Sequence, residues 1–145
     1  MARSAPQASA LAFVLVAVLC GGPATARSAE TTSARVAVAL GKPTEYGVTP
    51  ARRTVKAGKV TFIVTNKGAI THEMNVIRVP TTSAVLAKGK SAGQVLEKGK
   101  IAAVEGLEAG KTGRVTVTLQ PGTYQLFCNI PGHYMNGMRT AIKVT

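Results

Sequence analysis

The chain has 145 residues and a net charge of +12, with Lys and Arg outnumbering Asp and Glu by 18 to 6, which leaves room for one domain with a modest core. Such basicity is shared by nucleic-acid binders, but aromatic residues make up only 4% and the cations are scattered, so no nucleic-acid partner is expected. There are no paired carboxylates beside a cleft, no nucleotide loop and no third His, so catalysis is not expected.

Residues 1–26 read as a secretory signal peptide: Arg3 gives the charged start, Ala10 to Cys20 the apolar stretch, and Ala24-Thr25-Ala26 the small-residue cleavage site. The apolar run is about half what a helix needs to cross a bilayer core of ~30 Å. Cleavage near Ala26 is therefore expected, giving a periplasmic or secreted protein with no transmembrane span. Losing Arg3 leaves 17 basic against 6 acidic residues, a charge of +11. Losing Cys20 leaves Cys128 as the single thiol, which in an exported protein is open to oxidation unless something holds it.

Residues 27–34 read as a flexible lead-in, and residues 35–145 as one domain. Apolar residues then alternate at period two, the strand signature. Val36, Val38 and Leu40 share a face in 35–40, and β-branched residues with Phe62 dominate 60–65, bounded by Gly58 and by Asn66-Lys67-Gly68. Segments 46–48 and 54–56 read as short edge strands beside Pro43 and Pro50. In 72–79, His72, Met74 and Val76 share a face. Residues 80–112 carry no clear pattern; 83–88 and 94–98 each suggest a turn of helix, and five glycines break anything longer. A connection of that length usually carries a functional flap or structure of its own. Val115, Val117 and Leu119 alternate again, Pro121-Gly122 turns the chain, and Tyr124, Leu126 and Cys128 share a face. Beyond residues 129–137, Met138, Thr140, Ile142 and Val144 share another. Seven or eight short strands with no long helix predict an all-β Greek-key sandwich.

Period two thus turns Cys128 and Met138 inward at the facing ends of two strands, with His133 midway along the loop between them. The spacing is C-x4-H-x4-M, with Pro131-Gly132 before the His and Gly137 before the Met. Thiolate, imidazole and thioether form a soft donor set, and with one more imidazole it suits copper cycling between Cu(I) and Cu(II). The only other His is His72.

An upstream Thr71-His72 opening an apolar run, followed by Cys128, His133 and Met138 near the C-terminus, resembles the cupredoxins, the small blue copper proteins. The loop spacing resembles the rusticyanin and sulfocyanin branches more than plastocyanin. The resemblance implies one copper ion in a near-trigonal plane of His72, Cys128 and His133, with Met138 as a long axial ligand. It further implies that His133 shows its ring edge at the surface as the electron port, with Asn129, Ile130, Pro131, Tyr134 and Met135 supporting the loop or forming the docking rim. Many members carry Asn or Ser directly after the first His, bonded across to the ligand loop, whereas this chain has Glu73, which alternation turns away from the side His72 faces. The implied function is a one-electron carrier: a monomer exchanging electrons with a redox protein such as an acidic cytochrome. A copper-resistance or copper-handling protein of the same fold is the alternative, and a metal-free exported binding module is a third reading.

Overall fold

The computed structural model describes residues 33–145 together with Met1; the expected signal peptide and residues 27–32 of the expected lead-in lie outside the described residues, and Ala34, expected in the lead-in, already opens the first strand. Nine strands follow in chain order: β1 (Ala34–Leu40), β2 (Val48–Pro50), β3 (Thr54–Val55), β4 (Gly58–Asn66), β5 (His72–Val79), β6 (Lys100–Leu107), β7 (Thr112–Leu119), β8 (Gly122–Phe127) and β9 (Arg139–Val144). Among the described residues there is no α-helix, hence none long and apolar enough to cross a membrane.

The strands form two packed sheets, one of order β2-β1-β4-β7 and one of order β3-β9-β8-β5-β6. Parallel pairs β1–β4 and β3–β9 sit among antiparallel neighbours. The chain crosses from β6 in the second sheet to β7 in the first and returns with β8 beside β5, completing the all-β sandwich. The alternation predicted for each strand is the one that faces the core. Val36, Val38, Leu40, Phe62 and Val64 of the first sheet bury against Met74, Val76, Leu126, Ile142 and Val144 of the second. Burial of a branched or aromatic side chain contributes about 1.5–3 kcal/mol each, so this shared interior is the main stabiliser of the frame that carries the site.

One expectation for residues 80–112 is corrected. The segments 83–88 and 94–98 form no helix; they belong to a loop whose only pairing is a bridge between Lys88 and Val95. Strand β6 is the additional strand, an edge of the second sheet. Its pairing with β5 slips between His72 and Met74, and Gly106, at φ 62°, takes up the bulge. The loop of residues 80–99 lies over the outer face of β5 and β8, where Ala84, Leu86 and Val95 pack with Ile77, Val79, Phe127 and Tyr134 in a second, smaller core.

Candidate metal centre

His72 is the first residue of β5, and the turn before it is fixed by Asn66, which is fully buried. The Asn66 side-chain amide donates to the carbonyls of Ile70 (2.7 Å) and Leu107 (2.8 Å), and its Oδ1 accepts the Gly68 amide at 2.9 Å. The entry into β5 is thereby tied to β6, and the His72 ring is aimed between the sheets.

Cys128 follows the last residue of β8 and Met138 precedes the first of β9. The Cys128 amide donates to the Met138 carbonyl at 3.1 Å, and the Met138 amide to the His133 carbonyl at 3.1 Å. Between them the loop folds as consecutive turns, with Gly132 (φ 86°) and Gly137 (φ 91°) at positions only glycine adopts without strain. His133 is carried back over Cys128 as a result.

His72, Cys128 and Met138 are fully buried and His133 is 7% exposed. His72 Nδ1 stands 3.2 Å from His133 Nδ1, and Cys128 Sγ 3.3 Å from the same nitrogen. One donor atom from each of His72, Cys128 and His133 lies within 4.8 Å of the others. Bonds of about 2.0–2.3 Å from a metal to N and S place three donors of one plane roughly 3.5–4 Å apart, so a small opening of this cluster accommodates one ion. Two imidazoles, a thiolate and a neighbouring buried thioether fit copper.

Burial keeps the His133 imidazole neutral and the Cys128 thiol protonated at neutral pH, so a metal binding there must displace the thiol proton. Burial, and after it the facing His72, hold His133 below the ordinary range of histidine. Burial pushes the Cys128 thiol up to about 11. Cys128 is the free cysteine among the described residues.

The residues around the ligands divide by burial. Glu73 points away from the His72 side, as alternation predicts, yet its Oε1 accepts the Asn129 amide at 3.0 Å and the Asn75 side-chain amide at 2.7 Å. Asn129 is buried and locks the loop of residues 80–99 to the site. Its Oδ1 accepts from Val95 at 2.8 Å, and its side-chain amide donates to the Val95 carbonyl and to Glu97. Pro131 and Met135 are exposed and Ile130 is half-buried. Tyr134, expected in the exposed rim, is instead 1% exposed. Its hydroxyl donates to Gln125 and accepts from the Leu86 amide, and Arg139 stacks over its ring, so it fills the second core beneath the 80–99 loop.

Two residues at the site escape sequence reasoning. Tyr46, half-buried against the main core, sets its ring edge-on to His133, with centroids 5.3 Å apart. Glu45 places Oε1 2.9 Å from His72 Nε2. The one signal that pointed to it is scarcity. All six acidic residues are Glu, and three of them, Glu45, Glu73 and Glu97, bond to His72 or Asn129.

A β-sandwich that buries two histidines, a cysteine and a methionine where two strands meet one loop defines a mononuclear copper protein. A family model described as a cupredoxin-like domain matches residues 10–141, and the chain belongs to that family. It is 50% identical over 40 residues to auracyanin-B of Chloroflexus aurantiacus, a match spanning 27% of this chain and 17% of that protein. A solved structure of auracyanin B superposes with a TM-score of 0.61 at 25% identity, over 80% of this chain and 91% of the other. Auracyanin A, described as a "blue" copper protein of Chloroflexus aurantiacus, gives 0.59 at 25% identity over 78% and 99%. Rusticyanin from Thiobacillus ferrooxidans shares the fold, with a TM-score of 0.56 at 24% identity over 78% of this chain and 77% of that one.

Proposed function

We propose that the protein is an exported, monomeric type 1 copper protein that carries single electrons between redox proteins. His72, Cys128, His133 and Met138 would hold the copper. The observation that carries this reading is the burial of all four side chains at the ends of β5, β8 and β9 of the second sheet, with the ligand loop hydrogen-bonded back across its own two ends. Bound copper supplies a one-electron Cu(I)/Cu(II) couple. The chain's own contribution is to hold the donors in one geometry, so that little moves when the charge changes, and to exclude water from the thiolate.

His133 is the electron port in this reading. Its ring belongs to the donor cluster and meets the half-buried Tyr46 edge-on, the residue keeps slight exposure, and the exposed Pro131 and Met135 stand on the same loop. Closure of the site supports carriage over copper handling: a protein that passes copper on needs a donor reachable by the next carrier, and these donors are buried. Kinship to blue copper proteins supports the same assignment.

Voltammetry of the copper-loaded protein tests it. A reversible one-electron couple, with electron exchange faster than copper loss, is expected for a carrier. Copper leaving on each reduction, or no reversible couple, points to handling instead.

A further inference from the structure

Glu45 lies between β1 and β2, 27 residues from His72 in the chain, yet its Oε1 is 2.9 Å from His72 Nε2. The carboxylate is fixed from behind: Ala69 donates its amide to both oxygens at 2.9 and 3.0 Å, and Ile70 donates to Oε1 at 3.2 Å. Gly68 makes room for the contact, because a Cβ there would overlap Glu45 Oε1 and stand 2.9 Å from His72 Nε2. An ionised carboxylate only accepts hydrogen bonds, and a neutral imidazole carries one N–H. His72 therefore donates from Nε2, which leaves the Nδ1 lone pair on the side of His133 and Cys128.

We propose that Glu45 is a positioning residue of the copper centre: it locks His72 in the Nε2–H tautomer and places a negative charge one imidazole away from the metal, favouring Cu(II) over Cu(I). The proposal rests on the copper reading of the site. A backbone carbonyl in the same place would fix the tautomer equally well; the full charge is what the carboxylate adds. Carboxylates that orient metal-bound histidines also raise their basicity, and losing one typically costs 10- to 100-fold in metal affinity. A dication gains more from a nearby anion than a monocation does, so the two oxidation states respond unequally.

Glu45→Gln isolates the charge, since the amide oxygen still accepts from His72. The midpoint potential of this variant is expected to rise, by about 59 mV for each tenfold by which Cu(II) affinity falls more than Cu(I) affinity, with the visible spectrum retained. Gly68→Ala, which displaces the carboxylate, is expected to shift the potential the same way. A coloured wild type with an unchanged or lower potential in Glu45→Gln overturns this role and leaves the copper reading standing, even if the melting temperature drops. A wild type that stays colourless with copper overturns both. A second readout needs no variant: histidine 15N spectra of the Cu(I)-loaded wild type should show the His72 proton on Nε2, and a proton on Nδ1 overturns the proposal.

Discussion

The Glu73 carboxylate accepts a 3.0 Å bond from the Asn129 amide, joining the residue after one proposed copper ligand, His72, to the residue after another, Cys128. At this position, where the resemblance implies Asn or Ser, the chain has Glu73, and an anion makes the strand-to-loop bond. Glu73→Gln keeps an acceptor and removes the charge, so the potential should rise while stability holds. Glu73→Ala leaves the Asn129 amide without its partner. A hydrogen bond to a charged group contributes about 1.5–3 kcal/mol, and ~1 kcal/mol moves the melting point of a domain this size by about 4 °C. Voltammetry with thermal melts of the two variants separates charge from tether; equal melting points would show that the bond does not hold the loop.

Met138 is fully buried in the same core as Cys128. Replacing it with Gln exchanges a soft thioether for an oxygen donor that prefers Cu(II). The expected result is a retained strong absorption with a lowered midpoint potential. An unchanged or raised potential would remove Met138 from the axial role.

The Cys128 thiol gives a pH dependence whose sign follows from burial. Its pKa in the fold is about 11 against an ordinary 9.0, so the folded chain holds that proton more tightly than the unfolded chain. The resulting stability of the metal-free protein is fully present below about pH 9 and is lost as pH rises through 11. Copper displaces the proton, so below pH 9 apparent affinity should gain roughly tenfold per pH unit from this group. Copper at a thousandfold excess over its dissociation constant should add about 4 kcal/mol of stability. Melts of metal-free and loaded protein across pH check both; equal midpoints at saturating copper would count against a site that exists only in the fold.

Charge should steer the partner. Lys88 and Lys90 line a surface cleft with Met135 of the ligand loop, which places positive charge beside the proposed port. Electron exchange with an acidic cytochrome should therefore slow as salt rises, because screening shortens the reach of these charges to about 8 Å at physiological ionic strength. Reversing Lys88 and Lys90 to Glu should slow it several-fold at low salt, whereas reversing Lys59, at the far end of β4, should have little effect. Stopped-flow rates that are flat with salt would remove the acidic partner.

What the sequence made legible follows physical lines. Period two placed His72, Cys128 and Met138 inward because they continue the buried positions Met74 and Val76, Tyr124 and Leu126, and Ile142 and Val144, and the 128–138 spacing already held the donors. Strand β6 escaped because Ala102, Ala103 and Gly106 carry little β-propensity and an edge strand half in solvent does not alternate cleanly. The burial of Tyr134 escaped because the loop that covers it has no periodicity of its own. Glu45 escaped because its contact depends on how two turns, 41–47 and 66–71, meet in space, which no local pattern encodes.

The central claim is a thiolate–copper bond at Cys128, and the visible spectrum of the copper-loaded protein beside that of Cys128→Ser tests it most directly. The wild type should show intense absorption from thiolate-to-copper charge transfer, and the variant, whose alcohol cannot supply that transition, should lose it while still folding. A colourless wild type, or a variant that keeps the band, would contradict the assignment.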